Sequence, residues 1–475
     1  MVVFLPLFSE YFVKDKKKAW QFTNSCLNIF LILLILISLI LFIFTPVLIE
    51  LIVPGFNLEQ KNLTIFLTRL MFLSPIFFGL SSIFSGILQY FNRFLIYGLA
   101  PILYNLGIIF GIIFLVPYFK ILGVVLGVVL GALGYFLVQI PSAISCGFRY
   151  QPIFNFQDPA LKKIFLLMTP RVFGLAAQQI NLIVITSIAS TLVVGSIAVF
   201  NLANNLQSFL IGIIGISFAI ASFPVLSRAW AQAQKKEFIE KFSFIFRQIL
   251  YLIIPLSLLM FILRGQIVRI ILGTGQFDWL ATRLVAASLG LFCLGILANA
   301  LIPLIFRAFF ALQNTKTPTL IAIGTVILNI ILSFSLTWLL TFPNTFKSFL
   351  IDILKLQGIG NIAVLGLPLA FSMASLFQFI LLMFFLYKEI GDLKLKEIFQ
   401  SFSKIFLASI LMVFSIYFVL HQLALLVDMK TFLGVLTQTI LAAFFGIFIY
   451  ILATSFLKSP EIETIKSSIL KQFRL

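Results

Sequence analysis

Residues 26–53 read Cys-Leu-Asn-Ile-Phe-Leu-Ile-Leu-Leu-Ile-Leu-Ile-Ser-Leu-Ile-Leu-Phe-Ile-Phe-Thr-Pro-Val-Leu-Ile-Glu-Leu-Ile-Val. The stretch holds a single charge, Glu50, close to its far end. Roughly 20 apolar residues in α-helix suffice to cross the hydrocarbon of a bilayer. A strand of a membrane barrel would alternate apolar and polar residues, and this run does not. It predicts a membrane-spanning helix. Eleven more stretches read the same way: 64–88, 95–118, 121–146, 164–190, 193–226, 243–264, 282–308, 317–342, 361–387, 401–421 and 431–457. The expected fold class is therefore an all-α polytopic membrane protein with about 12 transmembrane helices.

The composition agrees. Of 475 residues, 61% are hydrophobic and only 10% charged, where a soluble chain carries about a quarter charged residues. Disorder is excluded, because it needs low hydrophobicity. Cys26, Cys146 and Cys293 stand far apart in apolar runs and read as small core residues. One histidine, His421, cannot build a His-based metal site. No phosphate-binding Gly-x-x-x-x-Gly-Lys-Ser/Thr loop occurs, so no nucleotide-driven engine is encoded. The net charge of +18 points to basic loops facing anionic lipid rather than to nucleic acid.

Charge also sets an orientation. If Lys14–Lys18 lie in the cytoplasm and the spans alternate, 24 basic residues fall inside. Nine fall outside: Lys61, Arg69, Lys120, Arg264, Arg269, Arg283, Lys347, Lys355 and Lys430. This bias follows the positive-inside rule and puts the C-terminus in the cytoplasm. The domain reading is an N-terminal lobe over 1–148, a cytoplasmic linker over 149–163, a C-terminal lobe over 164–388, an extra helix pair over 400–457 and a tail over 458–475. Asp158-Pro159 supplies a helix N-cap and a first-turn proline. In the tail, Ile462, Ile465, Ile469 and Phe473 share a helical face, which fits either a short surface helix or a solvated tail.

Internal repetition is weak but doubled. Leu88-Gln89 with Asn105 is matched by Leu312-Gln313 with Asn329, 224 positions on. Leu5-Pro6-Leu7-Phe8-Ser9 is matched by Phe223-Pro224-Val225-Leu226-Ser227, 218 positions on. Two six-helix bundles of the same orientation explain both matches. On this reading the first bundle is incomplete here, and the equivalents of its first two helices precede Met1.

Several stretches together resemble the MurJ (MviN) lipid II flippases. They are Phe4-Leu-Pro-Leu-Phe-Ser-Glu-Tyr11, Pro54-Gly55-Phe56, Asn92-Arg93-Phe94 with Ala100-Pro101 and Asn105, and Thr169-Pro170-Arg171 with Gly174 and Gln178-Gln179-Ile180-Asn181. Asn201-Leu-Ala-Asn-Asn-Leu206, Gly275-Gln276-Phe277 and Ala311-Leu-Gln-Asn-Thr-Lys-Thr-Pro318 complete the set. The resemblance implies two six-helix lobes around a central cavity, plus two C-terminal helices forming a lipid-facing groove. It implies no enzyme chemistry, but movement of the undecaprenyl-linked peptidoglycan precursor from the inner to the outer leaflet of the bacterial cell membrane by alternating access. Cell-wall synthesis proteins are implied partners. At one position where the family carries a cavity arginine, this sequence has Asn205. Export of another lipid-linked saccharide or a drug, or a non-transporting scaffold role, are the alternatives.

Polar residues at membrane depth are costly and become the candidate cavity residues. Arg171, Gly174, Gln178 and Asn181 share one helical face. Asn201, Asn204, Asn205 and Ser208 form a second polar face, and the amides there either bind substrate or join helices. Asn105, Asn299, Arg307 and Asn329 are weaker candidates, the three asparagines read chiefly as interhelical hydrogen bonds. Gly212 and Gly215 are expected to permit close packing or bending. No acid lies in the middle of a predicted span, so a carboxylate proton relay has no evident seat. No cofactor is expected; coupling to the membrane potential or to a monovalent cation held by amides and carbonyls stays open.

Overall fold

A computed structural model of the chain describes residues 4–273, 278–429 and 431–463, without the side chains of residues 167, 169–171 and 173–178. The described residues form helices and no strands. Eleven helices among them are long and apolar enough to cross a membrane. A further 32-residue helix, Pro159–Ser190, covers the remaining expected span. The chain is an all-α polytopic membrane protein.

Two compact units divide the chain, Met1–Gln179 and Ile180–Leu475. The first contains α1 (Phe4–Lys14), α2 (Lys16–Ile52), α3 (Leu58–Met71), α4 (Leu73–Tyr90), α5 (Phe94–Phe110), α6 (Val116–Phe119), α7 (Ile121–Leu137) and α8 (Gln139–Ser145). It also takes the first part of α9 (Pro159–Ser190). The second unit continues through α10 (Ser196–Leu210), α11 (Ser217–Ala231), α12 (Lys235–Ile262), α13 (Arg264–Leu272), α14 (Trp279–Ala311) and α15 (Lys316–Thr341). It ends with α16 (Thr345–Leu354), α17 (Gly366–Ile390), α18 (Leu395–Leu426) and α19 (Phe432–Phe456).

Local chemistry sets the helix ends. Asp15 caps α2 by accepting from Lys17 N–H at 2.8 Å and Lys18 N–H at 3.2 Å. Pro54, which lacks an N–H, follows where α2 stops. Asn57 and Gln60 form a reciprocal capping box that opens α3. The stretch expected as one span, 64–88, lies in one candidate span, Leu58–Tyr90, within which α3 and α4 are separated only by Phe72. Single π-helical turns, Gly111–Leu115 and Ile211–Ile216, interrupt the spans that continue α5 and α10.

The repeat is visible in packing. In the first unit α1 lies on α2 and α4, and α5 on α7; in the second α11 lies on α12 and α14, and α15 on α17. The turn after α4 places Asn92 at φ 55°, and the turn after α14 places Gln313 at φ 60°. Arg93 N–H then bonds Leu88 C=O at 2.8 Å, and Asn314 N–H bonds Phe309 C=O at 3.0 Å, the same left-handed helix stop. These turns are 221 positions apart, three fewer than the pairing of Gln89 with Gln313 suggests.

Outward and inward faces invert the soluble pattern. Ile35, Leu39, Ile43, Val47 and Leu51 of α2 are exposed, as a lipid-facing helix requires. The first core gathers Phe8, Phe22, Phe84 and Ile87. The second is built around α14, whose Leu289, Phe292, Leu301, Leu304, Ile305 and Phe309 are fully buried. Glycines set the closest approach in the first unit. A Cβ at Gly127 would lie 2.7 Å from Gly111 Cα and 2.9 Å from Gly107 O, so α5 and α7 meet backbone to backbone.

The 149–158 segment is not a free tether between lobes. Asn24 Oδ1 accepts from Gln151 N–H at 2.8 Å, and Asn24 Nδ2 donates to Arg149 C=O at 2.9 Å. Ser25 Oγ accepts from Asn155 N–H at 2.9 Å, and Asn28 Nδ2 donates to the Gln151 and Ile153 carbonyls at 3.0 Å. Asp158 caps α9 through Ala160 N–H at 2.8 Å, as its Asp-Pro sequence predicts, and accepts from Tyr11 OH at 2.9 Å. Burial and that bond push the Tyr11 hydroxyl up to about 12. The division between units falls after Gln179, inside α9. A row of α2 side chains binds the linker backbone within the first unit.

Candidate functional site

In the second unit one row of polar residues on α15 is turned inward. Thr325, Asn329, Ser333 and Thr337 of α15 recur every four residues, and all four are buried. Asn329, 2% exposed, donates through Nδ2 to Asn181 Oδ1 of α9 at 3.0 Å. This pair joins two helices, as the sequence reading expects for Asn329, and it takes in Asn181 as well. Asn329 Oδ1 and Ser333 Oγ are buried with no hydrogen-bond partner among the described residues. Four residues apart on a helix, they face the same way.

The polar face of α10 divides. Asn204 Oδ1 accepts from Gln207 Nε2 at 2.9 Å. Gln207 is 1% exposed and its Oε1 has no partner among the described residues. Asn201 is half-buried and Asn205 exposed. Gly215 accounts for close packing: a Cβ there would lie 2.6 Å from Ala300 O of α14. Gly212 faces open space.

Two of the weaker candidates do not join helices. Asn105 is exposed and donates to Pro101 C=O of its own helix at 3.0 Å. Asn299 donates to Gly295 C=O, also of its own helix, at 3.0 Å. Each lies four residues beyond a carbonyl its side chain reaches, so the bond closes locally. Arg307 stacks its guanidinium over Phe223 of α11 at 5.4 Å, a cation–π contact. Arg171 and Gln178 lie on α9, and their side chains are outside the described residues, as is Gly275-Gln276-Phe277.

The sequence reading passes over Gln207, the Thr325–Thr337 stripe, and Arg247 with Glu461. Gln207 has a signal, since it is an amide three residues past Asn204 in an apolar helix. So has the stripe, in its spacing of four. Glu461 has none, because it follows the last span in a segment that reads as tail. Its Oε1 accepts from Arg247 Nη1 at 3.4 Å and Ser401 Oγ at 2.8 Å. Among the described residues no cluster of three His, Cys, Asp or Glu could hold a metal ion.

Two helical units with apolar exteriors and with buried amides and hydroxyls within their spans define the class: a multi-pass membrane protein. The family model of the lipid II flippase MurJ matches residues 1–437, and the chain belongs to that family. It is 27% identical over 449 residues to a probable lipid II flippase MurJ of Buchnera aphidicola subsp. Acyrthosiphon pisum, covering 93% of this chain and 82% of that protein. It is 28% identical over 271 residues to the lipid II flippase MurJ of Burkholderia cenocepacia, covering 56% and 52% of the two chains. The fold is similar to a solved lipid II flippase MurJ in an inward closed conformation, with a TM-score of 0.74 at 24% identity, covering 96% and 87%. It is also similar to an inward-facing multidrug transporter of the MATE family, with a TM-score of 0.68 at 14% identity, covering 83% and 86%.

Proposed function

We propose that this chain moves lipid II from the inner to the outer leaflet of the bacterial cytoplasmic membrane by alternating access. The observation that carries the reading is membership of the MurJ family over residues 1–437. No bond need be made or broken. The task is to keep a charged sugar–diphosphate headgroup out of hydrocarbon while the isoprenoid tail stays in lipid. Amides and one guanidinium suit it, because they hydrogen-bond phosphate and sugar oxygens without presenting a negative charge. Arg171, Gln178, Asn201, Asn204 and Asn205 are the headgroup contacts on this reading. Both termini lie in the cytoplasm, where 24 basic residues meet the anionic leaflet, and cell-wall synthesis proteins receive the product.

The test is rescue of cells depleted of their own flippase. Expression of this chain should restore growth and outer-leaflet precursor, and Arg171→Ala should weaken that rescue. A protein that is inserted and stable yet gives no outer-leaflet precursor would overturn the reading. Full rescue by Arg171→Ala would remove that residue from the headgroup site.

Coupling to a monovalent cation is supported by one observation. The Asn329 carboxamide oxygen and Ser333 hydroxyl are buried, neutral and without partners among the described residues, and oxygens of that kind ligate hard cations.

A further inference from the structure

Pro46 stands inside α2 and Pro255 inside α12, the helices that hold corresponding places in the two units. A proline has no N–H, so each deprives the carbonyl four residues earlier of its helical partner. These are Phe42 C=O and Tyr251 C=O. An unmet carbonyl at membrane depth is costly, and a neighbouring helix is one source of the missing donor. Arg69 Nε of α3 donates to Phe42 C=O at 3.2 Å, and Tyr450 OH of α19 donates to Tyr251 C=O at 2.7 Å. Among the described residues no side chain of another helix donates to the carbonyls freed by Pro101, Pro224 and Pro303.

The two arrangements differ in how firmly they are made. Tyr450 and Tyr251 are both buried, and Tyr251 OH pairs in turn with Thr454 Oγ1 of α19 at 3.2 Å. Arg69 is only half-buried, and a second donor stands ready beside its acceptor. Thr45 Oγ1 lies 2.7 Å from Leu41 C=O and 3.0 Å from Phe42 C=O. A hydroxyl has one proton and rotates to suit its acceptor. It serves the nearer Leu41 while Arg69 holds Phe42, and it can turn to Phe42 when Arg69 withdraws.

The place of Arg69 itself calls for a cause. It lies eleven residues past Leu58, roughly 16 Å along the candidate span Leu58–Tyr90. A guanidinium at such depth is costly. Among the described residues no carboxylate pairs with it, since Glu50 is taken by Lys61 at 2.7 Å. The guanidinium stacks over the Phe42 ring at 4.7 Å instead. Helix α3 therefore grips α2 on both sides of Pro46, at Phe42 through Arg69 and at Glu50 through Lys61.

We propose that Pro46 is a hinge in α2 and that Arg69 is its releasable clasp. With Arg69 on Phe42 C=O, α3 sets the bend of α2. With Thr45 on that carbonyl, the last turns of α2 pivot against the rest and leave no unmet carbonyl in lipid. Use of the pivot in transport rests on the alternating-access reading above. The clasp does not, and its test needs no transport.

The experiment uses the full chain with Cys26, Cys146 and Cys293 replaced by Ala, and with spin labels at Leu36→Cys and Leu51→Cys. Both positions are exposed on α2, on either side of Pro46. They lie about 22 Å apart at 1.5 Å per residue, a separation that pulsed dipolar spectroscopy measures. With Arg69 present the distance distribution should be narrow. Arg69→Met keeps an apolar stem and removes the donors, and should broaden the distribution roughly twofold, as a freed hinge does. Adding Pro46→Ala returns a backbone donor to Phe42 C=O and should narrow it again. An unchanged width in Arg69→Met overturns the clasp. Broadening that Pro46→Ala does not reverse overturns the hinge, because the freed carbonyl is then not what Arg69 holds. Should Arg69→Met not fold, Pro46→Ala must restore folding, and a double variant that still does not fold overturns the proposal as well.

Discussion

Asn329 of α15 and Asn181 of α9 share a hydrogen bond of 3.0 Å inside the second unit. One carboxamide oxygen of the pair is thereby satisfied and the other, Asn329 Oδ1, is left without a partner among the described residues. Interhelical bonds of this kind contribute about 0.6 kcal/mol on average in a membrane protein. Asn329→Leu should therefore lower the thermal midpoint of the purified protein only slightly. If the free oxygen ligates a monovalent cation, sodium or potassium chloride should raise the midpoint of the unaltered protein above that in choline chloride, and Asn329→Leu should abolish the difference. Identical midpoints in all three salts would end the cation reading.

The glycine contact between α5 and α7 gives a sharper stability prediction. Gly127→Leu must push its side chain into the backbone at Gly111 and Gly107. Overpacking of this kind costs about 1–3 kcal/mol. Gly98→Ala, on the same helix as Gly107 but with nothing within 4 Å of its Cβ, is the control and should be close to neutral. Thermal unfolding in detergent compares them directly.

Asn24→Ala should loosen the linker without unfolding α2. The change removes a donor to Arg149 C=O and an acceptor from Gln151 N–H. Leaving such backbone groups unpaired costs about 1–3 kcal/mol. Hydrogen exchange at residues 149–157 should accelerate, while exchange in the middle of α2 stays slow. Uniform acceleration along α2 would show that Asn24 supports the helix rather than the linker.

Tyr450→Phe should cost about 1 kcal/mol, the usual net value of one hydrogen bond, because it removes the 2.7 Å bond to Tyr251 C=O and keeps the ring. The ring contact, with centroids 5.3 Å apart, should persist, so Tyr450→Ala should cost several times more. Equal losses in the two variants would mean that the hydroxyl, not the ring, holds α19 to α12.

Much of the architecture was legible because a bilayer acts on sequence almost residue by residue. A run such as residues 26–53 must be helical and spanning wherever it sits in the chain, since its backbone can satisfy its own hydrogen bonds only in a helix. The Asp158 cap and the close packing at Gly215 were readable for the same local reason. The partners of amides were not. Asn105, Asn299 and Asn329 look alike in sequence, yet two close on their own helices and one reaches another, a choice made by which face meets a neighbouring helix. Glu461 was the least legible of all, since the residues that bury it, Arg247 and Ser401, lie 214 and 60 positions away.

The sequence alone determined that this chain is a bundle of membrane-spanning helices, and it carried the signs of two repeated halves, because hydrophobic length and repetition are one-dimensional quantities. Only the tertiary structure decided that α9 is shared between the two units, that the linker is bound along α2, that Thr325–Thr337 lines an interior, and that the segment after α19 folds back under a buried carboxylate. Each of these depends on side-chain directions and on groups brought together from distant positions, and burial, not sequence proximity, is what makes their hydrogen bonds strong enough to matter.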